Sequence, residues 1–160
     1  MRDAVGFDEF YAARAPSLVR TILARTGDRT RAEDCVQEAF VRAWRRWRRL
    51  EHDDPVGWVT TVAWRLAVKD WHRGRRETDA WRDGRTPTSA DLPAELVELR
   101  DALARLPRAQ ADVLLLHYLE DLPVRRVADV LGMPEGTVKS HLSRGRAALA
   151  TTLDPGGARP

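Results

Sequence analysis

Along most of the chain apolar residues recur at intervals of three and four, and nowhere do they show the alternation of a strand. That spacing matches the 3.6-residue turn of an α-helix and excludes the two-residue period of a half-buried strand. No Asn-Gly pair stands ready to turn a hairpin. The expected fold class is therefore all-α. The pattern breaks once, at Gly74 to Pro93, where "GRRETDAWRDGRTPTSADLP" is polar and holds two prolines and two glycines. Two small helical domains of about four helices each are expected, at 1–76 and 94–153. A flexible linker at 77–93 would join them, and 154–160, "DPGGARP", would be a disordered tail.

At 160 residues, each such domain is near the lower size at which a single core holds. Hydrophobic residues at 43% and charged residues at 32% suit folded domains with densely charged surfaces. No stretch approaches the roughly 20 apolar residues of a membrane span, and the first residues lack a signal peptide's apolar run. A cytoplasmic protein with no membrane partner is expected. Cys35 is the only cysteine, so no internal disulfide and no cysteine-based zinc site can form within one chain. Its expected place is a buried helix position.

Net charge is only +3, but its distribution is uneven. Residues 42 to 49 hold five arginines and no acid; 65 to 76 hold five basic residues against Asp70; 123 to 149 hold five against Asp129 and Glu135. Between the last two, residues 88 to 121 carry seven acids and three arginines. Two basic lobes around an acidic segment point to polyanion contact at two places.

In "RAEDCVQEAFVRAWRRW" the stripe Val36, Ala39, Phe40, Ala43 and Trp47 is the core face. The opposite face carries Asp34, Glu38, Val41, Arg42 and Arg45, with Gln37 to one side, so a valine stands among charges. Either this is a solvated face with one stray valine, or it is a partner surface. In the second lobe Leu96, Leu99, Leu103 and Leu106 form a stripe, and Pro107 suits the first turn of the next helix. "VRRVADVLGMPEGTVKSHLSRGR" then has the layout of a helix-turn-helix. Val124, Val127, Ala128 and Leu131 face inward, Gly132 can take the left-handed conformation that ends the first helix, and Val138, Leu142 and Leu149 mark the inner face of the second. Outward on that second helix stand Thr137, Ser140 and Arg144, flanked by Lys139, His141 and Ser143. Short hydrogen-bonding and long cationic groups suit base edges and phosphates of a major groove.

Residues 106 to 149 resemble the fourth region of extracytoplasmic-function sigma factors, the smallest members of the bacterial sigma-70 family. "AEDCVQEAFVRAWRRW" independently resembles their second region's polymerase-binding helix, with a D-x-x-Q-E core at Asp34, Gln37 and Glu38. "DDPVGWVTTVAWRLAVKDWHRGRR" resembles the promoter-reading helix that follows, so the resemblance spans about Phe7 to Leu149. It implies a protein without catalytic site, cofactor, metal or small-molecule substrate. Its partners would be bacterial core RNA polymerase and promoter DNA, and many members are held inactive by an anti-sigma factor, a candidate third partner. Asp34, Gln37, Glu38 and Val41 would meet a coiled coil of the largest polymerase subunit, acids pairing with arginines around one apolar contact. Thr137, Lys139, Ser140, His141 and Arg144 would read the minus-thirty-five duplex, with Arg125 and Arg126 gripping its backbone from the preceding helix.

The minus-ten element would meet the helix after Pro55. On a helical wheel Val59, Val62, Ala63 and Leu66 form its core stripe, continued by Asp70, which an arginine of another helix would pair. Trp64 and Trp71 share a different face with Val68, at a spacing that marks helix packing. Trp58 falls instead beside Arg65, Lys69, His72 and Arg76, and with Arg73 these make the expected DNA face. The chain departs from the family pattern at Arg65, where relatives often carry an asparagine that recognises an extruded base. It departs again at Pro123 and Pro134, where a capping serine is common.

Three other classes compete. An ordinary DNA-binding regulator would share residues 106 to 149 but has no use for the D-x-x-Q-E face. A metal-dependent phosphohydrolase is suggested by His52-Asp53-Asp54, but three adjacent residues cannot converge on one ion without distant partners. A membrane-surface helix is disfavoured by the well-defined core stripe at Val59 to Leu66.

Overall fold

The computed structural model describes residues 2–80 and 92–153, with side chains at 5–69 and 92–151. Among the described residues all regular structure is helical, and the chain divides into two compact units, Met1–Asp91 and Leu92–Pro160. The expected tail at 154–160 and linker positions 81–91 lie outside the described residues, as do the side chains of Asp70 and Trp71.

The first unit contains α1 (Arg2–Thr26), α2 (Arg29–Arg45), the short α3 (Trp47–Leu50) and α4 (Pro55–Ala80). α2 packs on both α1 and α4, and α1 also packs on α4. The corner between α1 and α2 follows from three residues. Gly27 adopts φ 73°, the left-handed conformation that only glycine takes cheaply, and its N–H donates to the Leu23 carbonyl at 2.7 Å. The Thr26 hydroxyl donates to the Ile22 carbonyl at 3.0 Å and accepts from the Asp28 N–H at 3.2 Å. Asp28 then caps α2, its carboxylate accepting from the Arg31 N–H at 3.1 Å.

The core of this unit is a set of long residues separated by alanines. Leu18, Ile22 and Leu23 of α1, Val36 and Phe40 of α2 and Val59 of α4 are buried between these packed helices, while Ala32, Ala39, Ala43, Ala63 and Ala67 are fully buried and let the helix axes close up. Cys35 is buried among them. Trp47 is buried as expected, but not as part of α2. At Arg46 the backbone leaves the helix (φ −117°, ψ 12°), and α3 starts afresh with Trp47 and Leu50 turned inward.

α4 departs from the wheel reading in two ways. Its buried side chains include Val59, Thr60, Ala63, Trp64 and Ala67, whereas Val62 and Leu66 are only half-buried. The inward face is thus turned by most of one residue's ~100° step toward Trp64. Trp64 draws it there, since burying an indole removes far more apolar surface from water than burying a leucine or valine. The helix also runs on to Ala80, through the first positions assigned to the linker.

The second unit contains α5 (Ala94–Ala104), α6 (Arg108–Leu114), α7 (Val124–Leu131) and α8 (Glu135–Leu153). Each begins at a proline. Pro93, Pro107 and Pro123 are the N-caps of α5, α6 and α7, with ψ between 142° and 158°. The Pro134 carbonyl accepts the first helical bond of α8, from Val138 N–H at 3.1 Å. A proline's fixed φ and extended ψ hold the chain outside the helix until the next residue, so Pro107 stands one residue earlier than the first-turn position expected for it. α6 continues into a wider π-helical turn, Leu115–Leu119, which nothing in the periodicity announced. The chain leaves it through Asp121 at φ 55°, with the Leu122 carbonyl 2.8 Å from His117 Nδ1 and the Leu122 N–H on the Leu116 carbonyl at 3.2 Å.

The core here comprises Leu96, Leu103, Val113, Leu114, Leu116, Leu122, Val127, Val130, Val138 and Leu142. α7 ends as expected at Gly132 (φ 65°), with the Met133 N–H reaching back to the Ala128 carbonyl at 3.1 Å. α6 and α8 cross where α8 has Gly145. A Cβ there would lie 2.8 Å from Leu114 Cδ1.

Gly145→Val should therefore lower the stability of the second unit by roughly 1–3 kcal/mol through overpacking. Gly136→Ala, with open space around it, should be neutral or stabilise by up to about 1 kcal/mol. All six tryptophans lie between 44 and 81. In urea unfolding of the full chain, Gly145→Val should shift the far-UV circular dichroism transition and leave the tryptophan fluorescence transition in place.

Candidate interaction surfaces

Three surfaces carry the residues that the sequence singles out. The first lies on α1 and α2. Asp34, Gln37, Glu38 and Val41 are all exposed on α2, so the face opposite the core stripe is open as read. Glu38 is held by Arg42, whose Nε donates to Oε1 at 2.8 Å; both side chains remain nearly half-exposed, so the pair contributes little to stability. Alongside runs a groove of about 340 Å³ lined by Phe7, Asp8 and Tyr11 of α1 and by Gln37, Phe40, Val41 and Trp44 of α2.

The groove's apolar lining is unusually open to water. Tyr11 is 40% exposed, Val41 37% and Trp44 48%. Phe40 is its floor, buried and edge-on to Tyr11 at 5.0 Å between ring centroids. Phe7 stands edge-on to Trp44 at 5.1 Å. Val41 is therefore one rim of a concave aromatic patch with acidic flanks, which is how a partner-binding site looks rather than how a scattered surface apolar residue does. Sequence reading reached Gln37 and Val41 but missed Phe7, Asp8, Tyr11 and Trp44. The available signal was Phe7, Phe10 and Tyr11 at spacings of three and four, one helical face that had to rest on something.

The second surface is the exposed side of α4. Arg65 and Lys69 are exposed. His72, Arg73 and Arg76 belong to the same helix, but their side chains lie outside the described residues. Trp58 differs from expectation. It is half-buried and packs on the cluster of Ala43, Trp47 and Leu50, with the Arg46 guanidinium 5.9 Å from its ring centroid. The wheel set it on the basic face correctly, but tertiary packing occupies one side of the ring and a cation stands near it. It is a joint between α4 and the α2–α3 corner, not an open stacking platform. Trp64 is buried as the packing reading expected, with Arg25 of α1 at 5.7 Å from its ring.

The third surface is on α7 and α8. Thr137, Lys139, Ser140, Ser143 and Arg144 are all exposed on the outer side of α8, opposite Val138 and Leu142. Arg125 is exposed at the start of α7; Arg126 is half-buried and lies 3.8 Å from Asp129, a weak pair that a phosphate can displace. His141 sits lower than the others. Its ring is half-buried, and its Nδ1 is shielded from solvent without a hydrogen-bond partner among the described residues. Only the rest of its ring can reach outward. Among the described residues no group of three or more His, Cys, Asp or Glu could hold a metal, and no helix is long and apolar enough to cross a membrane.

Comparison with known proteins gives these surfaces a context. Residues 10–77 match sigma-70 region 2 and residues 96–149 match sigma-70, region 4. The chain is 30% identical to the ECF RNA polymerase sigma factor SigL of Mycobacterium tuberculosis, covering 89% of this chain and 86% of that one. It is also 30% identical to the probable RNA polymerase sigma factor RfaY of Xanthomonas campestris pv. campestris, covering 94% of this chain but spanning only 42% of that protein's length. In fold it is similar to the sigma factor RpoE of Bartonella quintana, solved in complex with the anti-sigma factor NepR. The TM-score is 0.78 at 23% identity, over 92% of this chain and 96% of that one.

Trp58→Ala should destabilise the first unit by about 2 kcal/mol, less than a fully buried tryptophan would because Trp58 is only partly buried. Trp44→Ala, at the groove rim, should cost about 1 kcal/mol or less, the scale of one aromatic pair. Urea unfolding followed by the remaining tryptophans measures both, and equal losses would reject the distinction between joint and rim.

Proposed function

The chain belongs to the extracytoplasmic-function sigma factors of the sigma-70 family, and from that premise we propose how its surfaces divide the work of transcription initiation. It binds core RNA polymerase and directs initiation at specific promoters. The observation that carries the assignment is that one unit presents an acid-flanked aromatic groove while the other presents a helix-turn-helix with a cationic outer face. The role is non-catalytic binding, performed in the cytoplasm where polymerase and chromosome meet.

On the first unit, the α1–α2 groove receives a helix of the polymerase. Tyr11 and Trp44 supply apolar area with few rotatable bonds above the buried Phe40, and Val41 adds the contact at the rim. Asp34 and Glu38 recognise basic residues flanking that helix, raising the association rate and fixing its register. Gln37 can donate and accept at the same edge. An anti-sigma factor that covered this groove would inhibit by competing with polymerase.

On the second unit, α8 enters the major groove of the minus-thirty-five element. Ser140 and Arg144 lie one helical turn apart on the outermost side and reach base edges. Thr137 and Lys139 nearer the start of α8, with Arg125 and Arg126 of α7, hold phosphates. His141, set back in the structure, contributes at most through its outer edge. α4 meets the minus-ten element with Arg65 and Lys69, together with His72, Arg73 and Arg76, and Trp58 supports that face from behind.

Two experiments test the division. Glu38→Lys sets a third cation beside Arg42 and Arg45, and should weaken core polymerase binding at least tenfold, about 1.4 kcal/mol, without changing the circular dichroism spectrum. Val41→Asp should do the same by wetting the groove rim. Normal co-purification of both variants with core enzyme would remove the groove assignment. Separately, Arg144→Ala should relax base preference at one promoter position by roughly 1–3 kcal/mol in a binding selection. A uniform loss over all sequences would make Arg144 a phosphate contact instead.

A further inference from the structure

On α8, His141 holds a polar atom that the fold leaves unused. Its ring is half-buried, and Nδ1 is shielded from solvent with no hydrogen-bond partner among the described residues. Such an atom costs stability, and an apolar side chain of similar size would avoid that cost. The two possible states of the atom are not equally costly. A shielded N–H without an acceptor is worse than a lone pair without a donor, so the neutral ring keeps its proton on Nε2 and turns a bare Nδ1 inward. The outer edge of the ring is then a donor and nothing else.

The helical period fixes where that donor points. At about 100° per residue, His141 and Lys139 fall on opposite flanks of Ser140, which is on the outermost side. His141 is drawn back because it follows Val138 by one turn and adjoins Leu142, both of them buried. Thr137 and Arg144, one turn before and one turn after, share its flank and are exposed. The outer edge of the ring is therefore the floor of a recess between a hydroxyl and a guanidinium. A helix seated in a major groove sends its outermost side chains to base edges and its flanks to the sugar-phosphate walls. A protruding phosphate oxygen enters such a recess, and a donor-only edge suits it because the oxygen can only accept.

We infer that His141 is a single-donor phosphate clamp, its neutral imidazole donating from Nε2 to the backbone on the flank of α8 opposite Lys139. The inference rests on the reading of α8 as the major-groove helix. The two flanks then hold the duplex by different means. Lys139 binds its phosphate by charge, which salt weakens through counterion release. One directed hydrogen bond from a neutral ring releases no counterion, so it keeps its strength as salt rises and fixes the rotation of α8 in the groove.

Two measurements test this, both at about pH 8, above the usual range in which an imidazole titrates. In the free full-length chain, proton–nitrogen NMR correlations should show the His141 ring protonated on Nε2; a ring protonated on Nδ1 overturns the inference. The second measurement is the affinity of holoenzyme, reconstituted with core polymerase, for a duplex minus-thirty-five promoter fragment over a range of salt. His141→Ala should weaken binding about tenfold at every salt concentration, the scale of one hydrogen bond to a charged group, and equally on altered minus-thirty-five sequences. The slope of log affinity against log salt should not change, whereas Lys139→Gln should lower it by about 0.9. His141→Gln, whose amide nitrogen can donate from nearly the place of Nε2, should recover most of the loss; His141→Leu, which fills the space without a donor, should recover none. Normal binding by His141→Ala or His141→Leu, a fall in slope, or a loss confined to one base identity overturns the clamp. Arg144→Ala in parallel reports on α8 itself. Normal binding by both Arg144→Ala and Lys139→Gln removes the α8 reading; if those two are impaired and the His141 variants are not, α8 stands and only the clamp falls.

Discussion

The burial of Phe40 organises the first unit. Its ring is 2% exposed and lies against Phe10 at 5.4 Å and Tyr11 at 5.0 Å, both from α1. A buried phenylalanine of this kind is worth about 3–5 kcal/mol against alanine, a large part of a small domain's net stability. The same contact fixes the spacing of α1 and α2 at the groove. Because Phe40 fills the lower part of that interface, Phe7, Tyr11, Val41 and Trp44 are left standing above it as walls. The core and the groove here share one side chain.

The second unit solves a different problem. Its helices are short, and four prolines set where each begins, so little of the chain can slide along its neighbours. The approach of α6 to α8 at Gly145 and the seating of Val138 and Leu142 fix α8's rotation. That rotation presents Thr137, Ser140 and Arg144 together on the outside. A recognition helix must hold its side chains to within a fraction of a base-pair step, and rigid packing behind it supplies that constraint more cheaply than contacts made only on DNA.

Much of this was legible in the sequence, because helical period and helix punctuation are local properties. The outward set on α8 and the left-handed Gly132 at the end of α7 follow from spacing alone, and so does the exposed face at Asp34, Glu38 and Val41. What was missed involved two elements at once. Val62 and Leu66 look as apolar as Val59, and only the competition for space around Trp64 decides that they stay half-exposed. Trp58 lies on the basic face of α4 by angle, but Trp47 and Leu50 claim one side of its ring. The π-helical turn after Leu114 also has no periodic signature, since it depends on how Leu116, His117 and Leu122 close the chain path into α7.

The family itself is carried by residue patterns, D-x-x-Q-E on one helix and a helix-turn-helix on another. Local chemistry therefore determined the class of fold, the two-lobed plan and the kinds of partner. Tertiary structure alone decided that Val41 is the edge of a groove rather than a stray valine, and that Trp58 is partly buried against Ala43, Trp47 and Leu50. The reason is that a helical wheel fixes the direction of a side chain relative to its own axis. Whether that direction ends in water, in a cavity or against another ring depends on where a second helix lies, and that placement is set by packing summed over residues far apart in the chain.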